Sequence, residues 1–264
     1  MRSKIIFLIL LLSVGSFIGL VWYYHIDWSD LATLSFYENL ADPSVRIVRV
    51  PAGLRKEQIA EIMADKLKWG EFQKLAFVNA HTSFLETNLE GHYFPKTYMI
   101  QKDENAMEVS STKFKEFTKE TSTLQKPKTS KVLNEDTALT VASIIQREAA
   151  GPEDMKLVSG IIWNRIFAGM KLQMDSTLQY AKGNEEDGWW TEVTPKDKSI
   201  DSPYNTYKHK DVPPTPISNP SLTAISAAYN PQKTTCLYYL HDKNRNIHCS
   251  ATYEGHLKNI KKYY

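Results

Sequence analysis

The chain has 264 residues, of which 42% are hydrophobic and 23% are charged, and this composition is typical of an ordinary globular protein. Its 32 basic and 30 acidic residues give a formal net charge of +2, without the concentrated basic face that nucleic-acid binding needs. Nucleic acid is therefore excluded as an expected partner, and the length allows one large domain or two modest ones.

The first element is a run of twenty uncharged, mostly apolar residues at 5–24. As a helix this run would be about 30 Å long, which matches the hydrocarbon core of a bilayer. We predict a single transmembrane helix here; the alternative is a signal peptide cleaved near the small residues 13–15. Arg2 and Lys4 precede the run, so the tip at 1–4 is expected in the cytoplasm and the remaining chain outside the cytoplasmic membrane.

Residues 25–45 carry scattered aromatic and polar residues and are predicted to form a stalk. The region 46–125 follows, with a predicted strand at 44–50, helices at 54–67 and 71–80, an aromatic loop at 89–98 and an amphipathic helix at 106–119. The strand, turn and two helices resemble the LysM-like unit of glycan-associated proteins. This pattern is common and by itself indicates no activity.

The stretch 126–136 begins with a polar, basic segment and is predicted to be a linker before a distal domain at 137–264. That domain is expected to be mainly helical, with helices at 137–151, 152–169 and 221–229, a hairpin with its turn at 242–245, and a final helix from about Tyr253. Residues 134–136 can cap the first of these helices. The predicted fold class of the chain is α+β.

Two cysteines, Cys236 and Cys249, flank the predicted hairpin. If its turn is centred between Asp242 and Lys243, the sulfurs face each other and a disulfide is possible, as an exported domain would allow. A one-residue change of register would instead leave two separate thiols. The sequence leaves both alternatives open, and it has no cysteine or histidine spacing typical of a metal site.

Glu148 is the only acidic residue in the segment 137–151, and it falls on the apolar face of the predicted helix, close to its end. Burial and the negative end of the helix both disfavour a carboxylate, so we expect the pKa of Glu148 to be raised. A carboxyl group kept protonated near neutral pH is suited to act as a general acid. The alternative is an ion pair with Arg147 or Lys156 and no catalytic role.

Several motifs, in order along the chain, resemble those of the YceG-like (MltG) endolytic murein transglycosylases. They are LEGHYFPKTY at 89–98, ASIIQRE at 142–148, NR at 164–165, GMKLQMDST at 169–177, SPYNTY at 202–207, PPTPISNP at 213–220 and AAYNP at 227–231. Each motif alone is weak, but their order and spacing are specific. Together with the amino-terminal anchor, the resemblance extends over residues 5–260.

The resemblance implies an enzyme anchored in the inner membrane whose periplasmic catalytic domain cuts nascent peptidoglycan strands internally. It implies a 1,6-anhydro-N-acetylmuramyl product end, Glu148 as the catalytic residue, no cofactor or metal, and peptidoglycan synthases as partners. Family members often carry a second acid where this chain has Gln146, so one candidate remains. Two alternatives stay open: a lysozyme-like hydrolase that uses a second acid such as Asp175, and a non-catalytic glycan-binding scaffold.

Six further residues in the matched motifs are predicted to bind substrate: Asn164, Gln173, Asp175, Tyr204, Asn205 and Tyr207. The tyrosines combine flat apolar faces with hydrogen-bonding tips, which suits pyranose rings, although loop tyrosines are often packing residues. Asp175 could equally cap the helix that begins at Ser176. Asn164 could bond either the backbone or sugar, and the adjacent Arg165 is expected to make a structural ion pair.

Other positions are expected to be structural or stand apart from the family pattern. Glu90 is expected to stabilise a turn beside Gly91, and adjacent Trp189 and Trp190 are interpreted as packing residues. His256 matches a family position near the end of the chain. The hairpin sequence diverges, so the resemblance is weakest over the last stretch.

Overall fold

The structure, a computed structural model, describes residues 15–16, 18–26, 34–80, 89–124 and 134–264. These residues form helices and two antiparallel strand pairs, which confirms the predicted α+β class. The elements are α1 (Leu34–Ala41), β1 (Val45–Arg49), α2 (Lys56–Leu67), α3 (Glu71–Val78), β2 (Thr97–Gln101), α4 (Ala106–Ser122), α5 (Glu135–Glu148), α6 (Met155–Phe167), α7 (Asp175–Lys182), a 3₁₀ helix (Pro195–Ser199), α8 (Leu222–Tyr229), β3 (Tyr238–His241), β4 (Ile247–Ser250) and α9 (Tyr253–Tyr263).

Several predicted segments lie wholly or partly outside the described residues. They are the tip at 1–4, most of the predicted transmembrane helix at 5–24, part of the stalk at 25–45 and most of the linker at 126–136. Within the described ranges, no helix combines the length and the apolar character needed to cross a membrane. Helix α1 falls in the region predicted to be a stalk.

The chain divides into a small unit (1–51, 57–80 and 95–112) and a large unit (52–56, 81–94 and 113–264). In the small unit β1 pairs with β2, and Val48 lies opposite Tyr98. Its core residues are almost completely buried: Val48, Ile59, Met63, Phe77 and Ile100. Strand β2 was not predicted, because its first two residues were assigned to the aromatic loop. The LysM-like interpretation of this unit stays a prediction.

Helix α5 is the central helix of the large unit. All eight residues from 138 to 145 are buried, so the helix is enclosed on every side at its middle. Helices α6 and α8 both pack against α5 and against each other. Ser159 and Trp163 on α6 donate hydrogen bonds to the carbonyl oxygens of Ala227 and Ala228 on α8, at 2.7 and 3.0 Å. This packing fixes the end of α5, where the candidate site lies.

The start of α5 agrees with its prediction, whereas the helix ends earlier than predicted. The Asn134 side chain accepts a hydrogen bond from the backbone N–H of Thr137 at 2.7 Å, so the predicted amino-terminal cap is confirmed. At the other end Ala149 is extended, and the last helical residue is Glu148 rather than one at the Gly151 stop signal. The carboxyl group of Glu148 therefore extends from the helix terminus itself.

The hairpin has a different register from the one that was considered for a disulfide. Tyr239 pairs with Cys249, and Cys236 precedes β3. The turn extends to Asn246, because the Asp242 carboxylate accepts hydrogen bonds from the backbone N–H groups of Asn244 and Asn246 at 2.8 and 2.9 Å. A disulfide nevertheless joins Cys236 to Cys249. The turn centre that was the condition for a disulfide is therefore not the one found, although the disulfide itself is present.

The division into units also differs from a single boundary at 126–136. Segments 52–56 and 81–94 belong to the large unit, although both fall within the predicted LysM-like region. Asn219 provides the physical reason: its side chain accepts from the Tyr93 backbone N–H at 2.7 Å and donates to the carbonyl oxygen of Leu54 at 3.0 Å. Residues far apart in sequence thus form one packed body, which a pattern along the chain does not reveal.

Glu90 takes part in the same set of hydrogen bonds around Asn219. Its carboxylate is fully buried and accepts hydrogen bonds from the Asn219 amide at 2.8 Å and from the Lys56 backbone N–H at 3.2 Å. The adjacent Gly91 has a φ of +85°, and a Cβ atom there would lie 2.6 Å from the Cβ of Pro216. Only glycine tolerates both the positive φ and the close approach of Pro216. The LEG motif therefore serves the scaffold, and Glu90 does not line the cleft described below.

Candidate active site

Glu148 lines an open cleft of about 580 Å³ in the large unit. The cleft walls come from the end of α5, the start of α7, the loop that carries Lys198 and Tyr207, strand β3, and helix α9. Gln173 and Asp175 line it as well. Three of the six predicted substrate-binding residues, Gln173, Asp175 and Tyr207, therefore share one cleft with Glu148.

Both oxygens of the Glu148 carboxylate are held by hydrogen-bond donors. Oε1 accepts from the Ser176 backbone N–H at 3.1 Å and from the Ser176 hydroxyl at 2.7 Å. Oε2 accepts from the Tyr239 hydroxyl at 2.6 Å. Ser176 is the second residue of α7, so its N–H is one of the donors that a helix leaves unpaired at its amino terminus. Glu148 thus ends one helix and caps the next.

The expected apolar surroundings of Glu148 are not what the structure has. The side chain is half-buried, and its carboxylate accepts hydrogen bonds from hydroxyl and N–H groups. The alternative of an ion pair is not found either, since among the described residues neither Arg147 nor Lys156 forms one with Glu148. The guanidinium of Arg147 lies 3.9 Å from the ring centre of Trp190 instead. Glu148 is therefore positioned by neutral donors.

Tyr239 is the closest hydroxyl partner of the acid. Burial, and after it the nearby charge of Glu148, raise the pKa of Tyr239 well above its usual value. The phenol therefore keeps its proton at every physiological pH, and it also lies 3.5 Å from the sulfur of Met174. A neutral hydroxyl can donate to a carboxylate and can accept from a carboxylic acid. Tyr239 can thus follow either protonation state of Glu148.

Asp175 and Tyr207 form a pair on the cleft wall. The Tyr207 hydroxyl donates to Oδ1 of Asp175 at 2.6 Å, and burial followed by this bond raises the pKa of Tyr207. The two segments are aligned because the backbone N–H of Gln173 donates to the Thr206 carbonyl at 3.1 Å. Asp175 is the first residue of α7 and makes no capping bond, so the cleft position, rather than the cap, is the alternative found.

The other three predicted substrate-binding residues lie away from the cleft. The Asn164 amide donates to the carbonyl oxygens of Thr234 and Cys236 at 2.8 and 3.0 Å, which is the backbone alternative. The Tyr204 hydroxyl bonds that of Thr215 at 2.7 Å. These contacts account for their polar groups, and the structure gives both residues a structural position.

Asn205, the third of these residues, is fully buried and organises the loop before Tyr207. Its amide donates to the Ile200 carbonyl at 2.7 Å and its oxygen accepts from the Tyr207 backbone N–H at 2.9 Å. The same loop is tied to α7 by Lys182, whose ammonium lies 2.8 Å from Asp197 and lowers the pKa of that carboxyl group to about 2. Asn205 thus acts on the cleft only by placing Tyr207.

Arg165 lines the cleft but does not make the predicted ion pair. Its guanidinium donates to the carbonyl oxygens of Leu237 and Leu172 at 2.6 and 2.5 Å, and it lies 5.2 Å from the ring centre of Tyr238. Burial lowers the pKa of Arg165. Its planar donors therefore hold the start of β3 and the segment before α7 against α6. Its charge adds a positive potential to the cleft.

Sequence reasoning missed two residues that contact Glu148. Ser176 is part of a matched motif and directly follows the candidate Asp175, so the motif contained a usable signal. Tyr239 lies in the hairpin, where the sequence diverges from the family and no pattern marked it. Within the described ranges, no group of three or more His, Cys, Asp and Glu side chains is arranged to hold a metal ion.

Comparisons with known proteins identify relatives of this chain. The model of the YceG-like family matches residues 23–262. An endolytic murein transglycosylase of Bacillus subtilis strain 168 is 30% identical over 236 residues, which cover 82% of this chain and 64% of the relative. One from Streptococcus pneumoniae serotype 2 is 33% identical over 174 residues, which cover 65% of this chain and 32% of the relative. The chain thus spans less than two thirds of the length of these relatives.

The fold is also similar to a solved structure. The crystal structure of a YceG-like protein from Listeria monocytogenes aligns with a TM-score of 0.69 and 27% identity, covering 83% of this chain and 76% of that one. The family match extends over most of the sequence and includes every residue that lines the cleft except Tyr264. This chain therefore belongs to the YceG-like family.

Proposed function

We propose that this protein is an endolytic lytic transglycosylase of peptidoglycan and that Glu148 is its acid and base. The observation that carries the proposal is the carboxylate of Glu148, held by Ser176 and Tyr239 on the wall of an open cleft. The names of the relatives, endolytic murein transglycosylases, support the same activity. The bond cut would be the one between N-acetylmuramic acid and N-acetylglucosamine.

The hydrogen bonds assign a role to each oxygen of the acid. A backbone N–H can only donate, so Oε1, which accepts from Ser176, remains an acceptor and Oε2 is the atom that carries the proton. Protonated Oε2 would give its proton to the glycosidic oxygen while the bond from that oxygen to C1 of the muramyl ring breaks. The glucosamine unit then leaves with a hydroxyl group.

The second half of the reaction returns the proton. The Glu148 carboxylate would take the proton of the muramyl C6 hydroxyl as that oxygen bonds to C1 and closes the 1,6-anhydro ring. No water is consumed, so a second catalytic carboxylate is not required. The positive charge that develops near C1 would be stabilised by the substrate acetamido group and by polar groups of the cleft, with Gln173, Asp175 and Tyr207 as the proposed contacts.

A lysozyme-like hydrolase is the second candidate, because Asp175 lines the same cleft and offers another carboxylate. The products distinguish the two. We expect mass spectrometry of digested uncrosslinked glycan strands to detect 1,6-anhydro ends and fragments from the interior of the strands. Fragments with only reducing muramic acid ends would establish hydrolysis and overturn the transglycosylase proposal.

We also propose that the apolar run at 5–24 anchors the enzyme in the cytoplasmic membrane, with residues 1–4 in the cytoplasm and the cleft beside newly made glycan and its synthases. Twenty uncharged residues preceded by Arg2 and Lys4 support this topology. The full chain is expected to stay in the membrane fraction after an alkaline wash. A chain released by that wash would contradict the anchor.

A further inference from the structure

Helix α9 carries an apolar and aromatic stripe that the described part of the protein leaves uncovered. Tyr253 and Ile260 on the helix, and Tyr264 directly after its last residue, keep 55%, 39% and 79% of their surface exposed, and no residue of the helix is buried. An amphipathic helix normally packs such a stripe against a core. Here the stripe, together with His256, forms one wall of the cleft that contains Glu148.

The helix is firmly placed despite its exposure. Thr252 caps its first turn by accepting a hydrogen bond from the Gly255 N–H at 3.1 Å. The ring of Tyr263 stacks on that of His248 in β4, with centroids 3.6 Å apart and planes 10° from parallel. Tyr238 stacks on His256 at 5.6 Å. Since Tyr238 is next to Tyr239 on β3, the same strand positions both this wall and the acid.

His256 supplies a polar group without charge. Nδ1 of the ring is buried and has no hydrogen-bond partner among the described residues, and burial followed by the nearby charge of Arg165 lowers the pKa of His256. The imidazole is therefore neutral at neutral pH, and the nitrogen of its other edge can either donate or accept. A hydroxyl group, which also donates and accepts, can pair with that nitrogen in either state.

The chemistry of the stripe favours sugar over a lipid surface. At about 100° per residue, the cleft-lining residues fall on one side of α9, whereas Lys258 and Lys262 fall on the opposite side. The cleft side thus offers tyrosine faces and a neutral imidazole, which match the apolar faces and hydroxyl edges of a pyranose ring. From Tyr253 to Ile260 the stripe extends about 10 Å, more than one ring can occupy.

We propose that the α9 stripe of Tyr253, His256, Ile260 and Tyr264 is a sugar-binding wall, which holds consecutive rings of the glycan strand beside the bond that Glu148 cuts. This inference rests on the proposed function and adds the surface that binds the polymer. Because the contacts lie beside the reacting atoms, the wall contributes mainly to binding the strand and little to the chemical step.

The test compares Tyr253→Ala and His256→Ala with Leu257→Ala, on the full chain with uncrosslinked glycan strands as substrate. Leu257 is 46% exposed on the same helix but does not line the cleft, so it is the matched control. We expect each cleft variant to raise KM about tenfold with kcat nearly unchanged, as loss of one aromatic or polar contact predicts. Leu257→Ala should keep the parent KM, and circular dichroism should show intact helices in every variant.

If both cleft variants have the same KM as Leu257→Ala, the proposed sugar-binding wall is wrong, and the transglycosylase proposal is unaffected.

Sedimentation of each variant with the same strands in a Glu148→Gln background measures binding without cleavage. If the parent binds strands through Tyr253 but forms no anhydro product, the proposed function is wrong and the proposed sugar-binding wall is supported. Binding that depends on Tyr253 with anionic vesicles but not with glycan would show a lipid surface and overturn the sugar assignment.

Discussion

Replacing Glu148 with glutamine is expected to lower kcat for glycan cleavage by about 10³-fold or more, because general acid–base catalysis alone contributes about 10²- to 10⁴-fold. The amide has nearly the same shape, and its oxygen can still accept from Ser176, as the carboxylate does. It has no acidic proton for the glycosidic oxygen and is too weak a base for the muramyl hydroxyl. The measurement is the rate at which 1,6-anhydro ends appear by mass spectrometry.

The matched control is Glu153→Gln, which makes the same chemical change at an exposed position that does not line the cleft. It should cleave at the parent rate, and Glu148→Gln should still bind glycan strands. If Glu148→Gln cleaves as fast as the parent, another group is the acid. A non-catalytic scaffold predicts instead that neither the parent nor any variant releases anhydro ends.

Replacing Tyr239 with phenylalanine is expected to lower kcat by roughly 10- to 100-fold, since a hydrogen bond to a charged group contributes about 1.5–3 kcal/mol. The change removes only the hydroxyl that lies 2.6 Å from Oε2 of Glu148. Loss of this donor leaves Oε2 without the hydroxyl that holds it in place for proton transfer. The test compares the kcat of the variant and of the parent for the release of 1,6-anhydro ends.

Tyr229→Phe is the control for this substitution. Tyr229 is a buried tyrosine on α8 that lines a different cavity, and its substitution should leave kcat unchanged. A role for Tyr239 in packing alone would lower the thermal stability of the protein without lowering the kcat of the folded enzyme. An unchanged kcat in Tyr239→Phe would therefore contradict its role in positioning the acid.

The sequence predicted the helix that bears the acid because its signals are local. Asn134 caps α5, and the helical spacing of its apolar residues identifies the buried face, which Glu148 continues at the end of the helix. The surroundings of the carboxylate were not predictable in the same way. They depend on where the helix ends, on the unpaired N–H of Ser176 in the next helix, and on Tyr239, which is 91 residues away in sequence.

The hairpin shows the same limit of local patterns. Alternation and turn residues indicated two strands, but their register is set by the Asp242 carboxylate, which bonds the N–H groups of Asn244 and Asn246. Likewise, motif matches predicted six binding residues without distinguishing those that line the cleft from those that support it. Asn205 and Tyr207 are two positions apart, yet only Tyr207 lines the cleft.

The hydrogen bonds of Asn219 have a consequence for dissecting the protein. They tie residues near 54 and 93 to the helical body that holds the acid, so a fragment starting at 137 would retain Glu148 but lack segments that belong to the same packed unit. The side-chain amide of Asn219 and the surface of Pro216 that Gly91 covers would become exposed to solvent. The part of the large unit that holds Glu148 therefore cannot be separated by a single cut, and a minimal fragment must begin upstream of residue 52.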